Sequence, residues 1–315
     1  MSSSVNAISS AGLLIARQIS SAYFDNPNVK AILLGGSVAR GCADHYSDLE
    51  LGVFWAEPPS THERQAAIEH VGGELWTFDR EPGNEHYGLS TLALAGKSYT
   101  GTAMISTQHM AIGDMERCLS EVIDHYDTSV GKQALISAIQ HAIPLYGVDL
   151  IQTWQARARA YPNQLAIKVV QENLWFGPWF WPEAYIERDD RLVLHQHFLW
   201  VEHGLLKVLA GLNRIYYPSP EHKWMDELIG QMKFAPPDLS RRMKVVFRLD
   251  PVSGWQQLKS LIEDTITLVE SHLPEVNQIS LFKEHPEINT TWARQRWKSN
   301  SPYNLMEQIA ASQEV

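Results

Sequence analysis

A chain of 315 residues with 44% hydrophobic and 20% charged side chains is a folding composition, long enough to bury two separate cores, which excludes a disordered chain and a single small module. Its formal net charge of -10 argues against a general affinity for nucleic acid, because phosphate binding needs a basic surface. Two cysteines, Cys42 and Cys118, stand outside any C-x-x-C spacing and imply neither a disulfide framework nor a zinc cluster.

Met1 to Asn6 contains no basic stretch followed by an apolar run, and no segment approaches the ~18 apolar residues of a bilayer span. The expectation is a cytoplasmic protein that contacts neither membrane nor DNA. Ile8, Ala11, Ile15, Ile19 and Tyr23 recur at helical spacing and predict an amphipathic helix ending near Phe24, before the turn-rich Asp25-Asn26-Pro27-Asn28. Val29 to Leu34 is a short apolar run that stops at Gly35-Gly36 and reads as a buried strand.

Asp48 to Trp55 alternates acidic and apolar residues, which suits a strand with one functional face. Pro58-Pro59 opens a helix to Val71, and further strands are expected at Glu74 to Phe78, Leu89 to Ala95 and Ser98 to His109. The last two form a hairpin across Gly96-Lys97. From about Met115 the apolar period changes from two to about 3.6, and strands are expected to stop. Helices follow from Pro162 to about Trp175, from about Asp190 to Leu212 and from about Trp255 to Leu273. The fold class is α+β: a domain over 1–125 with a mixed β-sheet flanked by helices, then a helical bundle over 126–315.

The chemistry concentrates in Gly35-Gly36-Ser37-Val38-Ala39-Arg40-Gly41, followed by Asp44, Tyr46, Ser47 and Asp48-Leu49-Glu50. Acids at i and i+2 of a strand share a face about 7 Å apart along the backbone, so Asp48 and Glu50 can reach the same divalent ion. Hard oxygen ligands of this kind suit Mg²⁺, which keeps water and phosphate oxygens as its other ligands. Gly35 and Gly36 let backbone N–H groups approach phosphates, and the Ser37 hydroxyl adds a hydrogen bond. Arg40 and Ser47, in the same segment, complete the nucleotide-binding set. No Gly-Lys-Ser/Thr follows at Walker A spacing, and the glycines do not fit G-x-G-x-x-G.

Gly35-Gly36-Ser37, followed eleven residues after Ser37 by Asp48-Leu49-Glu50, resembles the G-S…D-x-D/E signature of the DNA polymerase β-like nucleotidyltransferase superfamily. The D-x-E form on a chain with a helical second half is similar to antibiotic nucleotidyltransferases of the kanamycin type. Gly36 to Leu51, Glu187-Arg188-Asp189-Asp190, Leu212-Asn213-Arg214, Tyr217-Pro218 and Lys223 together resemble a bacterial family of nucleotidyltransferase-like proteins of unknown function.

The resemblance implies an Mg²⁺-dependent enzyme that moves a nucleoside monophosphate from an NTP, ATP being the expected one, to an acceptor and releases pyrophosphate. It also implies a phosphate contact for Lys223. One departure stands out: members of the superfamily usually carry a third carboxylate on a later strand, whereas no Asp or Glu lies between Glu85 and Asp114. Glu74, Asp79 or an acid of the helical half can substitute, or catalysis is impaired.

In the helical half, His195, Glu202 and Asn213 are spaced by near-whole turns and share a face. That face suits either solvent or the substrate, with Glu202 as a candidate general base and His195 and Asn213 as substrate contacts. Asp189 and Asp190 fit a helix cap as well as a substrate contact. The crowded Trp175, Phe176, Trp179, Phe180 and Trp181 suit core packing or an aromatic wall. His45, His109 and His203 form no metal spacing.

Three functions follow. The first is NMP transfer to a hydroxyl of a small molecule, an aminoglycoside-like cation being compatible with the acidic charge. The second is a nucleotide-binding regulator without turnover, and the third is transfer to a protein or RNA acceptor. The expected site lies in a cleft between the domains, and a homodimer is compatible with it.

Overall fold

The computed structural model of the chain describes residues 6–78, 83–94, 96–176, 180–219, 221 and 223–278. Asp79, Ala95 and Trp179, on which expectations above fall, lie outside the described residues. The chain divides into two compact units, 1–161 and 162–315.

The first unit opens with α1 (Ala7–Ser20), started by Asn6, whose side chain accepts the Ser9 N–H. Then come β1 (Val29–Leu34), a single helical turn α2 (Gly36–Ala39), β2 (Leu49–Trp55), α3 (Thr61–His70), β3 (Glu74–Phe78), β4 (Asn84–Leu94) and β5 (Lys97–Ala111). Three helices, α4 (Ile112–Ile123), α5 (Val130–His141) and α6 (Val148–Ala158), bracket a last strand β6 (Ile143–Tyr146). The six strands form one mixed sheet in the order β3-β4-β5-β2-β1-β6, with β2 and β5 parallel and every other pair antiparallel.

Alternation along β2 sets the two faces of this sheet. Leu49, Leu51, Val53 and Trp55 are buried on one side, with Leu34, Tyr87, Leu89 and Ile105 from neighbouring strands, beneath Ala16 and Ile19 of α1 and Ile68 of α3. On the opposite side Phe54 meets Trp154 of α6 edge-on, with ring centroids 4.8 Å apart, while Glu50 is exposed. The core side also contains charge: Arg64, Glu85 and His109 are all at most 5% exposed.

Several boundaries move from those expected. α3 starts at Thr61 rather than at Pro58, because Ser60 and Glu63 form a capping box there. β4 begins at Asn84, five residues before the expected Leu89. β6 contradicts the expectation that strands end near Met115; Pro144 hides it in the sequence and is tolerated because β6 is an edge strand.

The second unit is helical: α7 (Asn163–Asn173), α8 (Phe180–Glu187), α9 (Arg191–Leu212), α10 (Met225–Gly230), α11 (Leu239–Val246) and α12 (Pro251–His272). Leu194, Phe198, Val201, Leu205, Val208 and Leu212 are at most 3% exposed, so the stripe read from the sequence is the buried face of α9. Gly211 lets α9 approach α7 closely, since a β-carbon there would meet Val169 Cγ1 at 2.9 Å. α12 starts at Pro251, four residues before the expected Trp255, with Asp250 accepting the N–H groups of Val252 and Ser253. The fold is therefore α+β, a mixed sheet flanked by helices followed by a helical unit. Among the described residues no helix is long and apolar enough to cross a membrane.

Candidate functional site

The glycine turn and the carboxylates meet at the adjoining ends of β1 and β2. Gly35 N–H donates to the Glu50 carbonyl at 2.8 Å, continuing the antiparallel ladder one step past β1. Gly36 adopts φ +61°, in the left-handed region that favours glycine. A β-carbon on Gly36 would lie 1.5 Å from Glu50 Oε2, so the carboxylate occupies the space that any larger residue would fill.

The loop after α2 is pinned to α1. Asn6 Nδ2 donates to the Ala43 carbonyl at 2.8 Å, and Ala43 N–H donates to Ser9 Oγ at 3.1 Å. The Ser37 carbonyl accepts the Cys42 N–H at 3.0 Å, which closes the turn below Arg40. Ser37, Arg40 and Ser47 are half-buried in this segment. The Ser47 hydroxyl donates to Asp44 Oδ1 and accepts from the Asp44 N–H, both at 3.0 Å, so the Asp44–Ser47 turn sets the approach of Asp48 to β2. Asp48 is half-buried and stands one residue before the strand begins.

Strand register extends this site across the sheet. Glu50 aligns with Ser106 on β5, Ser106 with His86 on β4, and His86 with Thr77 on β3. Their side chains lie on the face opposite the buried core. Thr77 Oγ1 stands 2.9 Å from His86 Nδ1, and Ser106 Oγ 3.4 Å from His86 Nε2. Two residues along β4, Gly88 lies under Trp76, whose ring carbon Cζ2 would be 2.5 Å from a β-carbon there. Trp76 is exposed, as is Met104, which pairs with Gly88.

The sequence reading missed this row because it began β4 at Leu89. Alternation at Glu85, Tyr87 and Leu89 against His86 and Gly88 is the signal that was present. No carboxylate stands beside Glu50 on β5. Glu74 pairs with Gly88 on β3, three strands from β2 and thus roughly 14 Å away, too far to share an ion with Glu50. Among the described residues no group of three or more His, Cys, Asp or Glu side chains is arranged to hold a metal.

Immediately behind the row lies a buried network. Arg64 Nε is 2.7 Å from Glu85 Oε1, and the guanidinium also lies 4.1 Å from the Phe78 ring centroid. The other Glu85 oxygen accepts from His109 Nε2, while Trp55 Nε1 donates to His109 Nδ1 at 3.0 Å. Nδ1 is therefore an acceptor, the imidazole is neutral, and the Glu85 charge is matched by Arg64. Glu85 and Thr107 point into the core next to His86 and Ser106, which point out of it. The network thus fixes the register that aligns the polar row.

The candidate residues of the helical unit do not gather in the same way. Asp190 occupies the N-cap position of α9 but its side chain makes no capping hydrogen bond, and Asp189, at φ +55°, pairs instead with Arg191 Nε at 2.7 Å. The capping reading of this pair is therefore corrected. Lys223 is exposed and 3.0 Å from Glu221. His195 is exposed, with its ring centroid 6.1 Å from that of Phe247, whereas Glu202 is 3% exposed. Two helical turns, about 10 Å of rise, separate them, so their shared face does not bring imidazole and carboxylate together.

Burial pushes the Glu202 carboxyl up to about 8. Asn213 closes α9: its Nδ2 donates to the Leu209 and Phe234 carbonyls and its Oδ1 accepts the Phe234 N–H, each at 2.8 Å. Trp175 and Trp181 are exposed while Phe176 is buried, and the rings of Trp181, Tyr185, Trp200 and Trp255 surround His197. The aromatic segment thus contributes at least in part to packing around a histidine.

No family model and no curated protein matches the chain. Among solved structures it is similar to a nucleotidyltransferase-like protein from Exiguobacterium sibiricum 255-15, at 12% identity over 84% of this chain and 79% of that one. The TM-score is 0.38, and a likeness at that level carries no functional argument.

Proposed function

We propose that the chain is an Mg²⁺-dependent nucleotidyltransferase that moves a nucleoside monophosphate from an NTP, ATP first among them, to a hydroxyl of a small acceptor and releases pyrophosphate. The observation that carries this reading is the seating of the Glu50 carboxylate against Gly36, at the turn where strand β1 ends. A carboxylate held there and Asp48 two residues earlier are the donor set Mg²⁺ takes when waters and substrate phosphates supply its remaining ligands. Bound there, the ion would neutralise charge on the phosphate oxygens.

The remaining work falls to the chain itself. The Gly36 backbone N–H and the Ser37 hydroxyl would hold the phosphates, with Gly35, whose own N–H is taken by the Glu50 carbonyl, shaping the turn; Arg40 would add charge, and Ser47 would fix the turn that presents Asp48. On the sequence alone, Lys223 is carried as a nucleotide contact and Asp189, Asp190, His195 and Asn213 as acceptor contacts. Glu202, enclosed in its own core, is assigned no step. Pyrophosphate release and calorimetric titration with Mg²⁺ and ATP test the reading. Binding lost in Asp48→Ala/Glu50→Ala supports it, whereas release that survives the double substitution overturns it.

A regulator that binds nucleotide without turnover is the second reading. The pairing of Glu50 with Ser106, where no carboxylate stands, favours it. Metal-dependent binding without product from any acceptor would select it.

A further inference from the structure

The geometry points to His86 as the proton acceptor for the incoming hydroxyl, with the acceptor seated on the β3–β5 half of the open sheet face. This inference rests on the phosphoryl-transfer reading above and adds where the second substrate binds. Transfer to a hydroxyl needs a group within hydrogen-bond reach of the departing proton. Asp48 and Glu50 are engaged by the ion in that reading and are poorly suited to take it. Next along the row on their face come Ser106 and then His86.

Two strand spacings, about 10 Å, separate the backbones of Glu50 and His86, which leaves room for a substrate hydroxyl between the side chains. His86 is oriented from behind: Nδ1 lies 2.9 Å from Thr77 Oγ1, and in the tautomer whose Nδ1–H donates there Nε2 presents its lone pair on the Ser106 side, toward β2. The Ser106 contact, at 3.4 Å, is long enough for an incoming hydroxyl to displace it. His109, the other histidine of this part of the sheet, is excluded because it is buried on the opposite face with both ring nitrogens engaged.

Beside His86 the exposed Trp76 ring over Gly88, together with Met104, forms an apolar floor. Such a floor suits a sugar or cyclitol ring, or a cation on the ring face. In the step itself the hydroxyl oxygen bonds to the α-phosphorus. The bond from that phosphorus to the β-bridging oxygen breaks, its electron pair leaves on pyrophosphate, and the hydroxyl proton passes to His86 Nε2.

Water is an acceptor always present, so AMP formation from α-labelled ATP with Mg²⁺ tests the step, alone and with a polyhydroxylated amine added. His86→Ala is expected to bind Mg²⁺–ATP as wild type does in calorimetry, to form AMP about a hundredfold more slowly, and to be partly rescued by added imidazole. Unchanged AMP formation in His86→Ala, slowed formation that imidazole does not rescue, or a wild type that binds nucleotide yet forms no AMP overturns the inference and leaves the nucleotide site standing. Absence of binding in wild type overturns the nucleotidyltransferase reading itself, and His86 with it.

Discussion

Gly36 and Glu50 occupy one another's space: a β-carbon on the first would stand 1.5 Å from Oε2 of the second. Gly35, one residue earlier, differs, for its backbone is extended and a β-carbon there would meet nothing closer than the Glu50 carbonyl oxygen at 3.8 Å. Gly36→Ala is therefore expected to displace the carboxylate and to abolish Mg²⁺-dependent nucleotide binding. It should also cost about 1–2 kcal/mol from the left-handed backbone. Gly35→Ala should retain binding. Calorimetry and thermal unfolding on the pair separate the two effects, and equal affinities would remove the Gly36–Glu50 seat from the site.

Arg64 and Glu85 form an ion pair in which each side chain is 1% exposed. Removing one partner leaves a buried charge, so Arg64→Met is expected to cost about 3–5 kcal/mol. Adding Glu85→Gln should recover a large part of that loss, because the residue can still hydrogen-bond His109 without a charge. Urea unfolding midpoints of wild type, single and double variants decide it. A loss below about 1 kcal/mol in Arg64→Met would mean that water reaches the pair.

What could be read from the sequence follows the range of the forces involved. β1 and the turn after it were legible because an apolar run ending in two glycines is a local signal, and β3 came out with both expected ends, Glu74 and Phe78. The α9 stripe was legible because its period repeats over about five turns, from Leu194 to Leu212. β6 was not, since Ile143-Pro144-Leu145-Tyr146 carries a strand-breaking residue that only an edge position tolerates. Of the candidate site, the Gly35 to Glu50 half was visible as a motif. The row from Glu50 to Thr77 was not, because which side chains stand abreast depends on register between β2 and a strand about fifty residues later. Nothing local in the sequence marks Glu85 and Arg64 as buried; their mutual pairing across the fold accounts for it.

Asn213 illustrates a polar residue whose place on a helix suggested a ligand and whose bonds are internal. Its amide joins the end of α9 to Phe234 through both the N–H and the carbonyl of that residue. Asn213→Ala would leave those groups unsatisfied in a half-buried setting and is expected to cost about 1–3 kcal/mol. Nucleotide affinity measured well below the unfolding temperature should be unchanged. A weakened affinity without loss of thermal stability would make Asn213 a nucleotide contact.

Glu202 and His197, both on α9, make the stability of the helical unit depend on pH in opposite senses. Burial raises the Glu202 carboxyl from its ordinary 4.5 to about 8, so the folded chain holds a proton there that the unfolded chain releases. Stability is then lost as pH rises from about 4.5 to about 8, by an amount on the order of 5 kcal/mol. Glu202→Gln should abolish that part of the slope, so its advantage over wild type grows across the interval and levels off above it.

Burial lowers His197 from 6.5 to about 4, which leaves the folded state with the neutral ring. Its contribution is present above about 6.5 and is lost as pH falls toward 4. His197→Phe should flatten the acid limb and leave the alkaline one intact. Urea midpoints for wild type and both variants at pH 4.5, 6.5 and 8.5 check the two signs, because the other titrating groups cancel in the differences. If the Glu202→Gln difference is constant over that range, the carboxyl reaches water in the folded chain and its burial plays no part in stability.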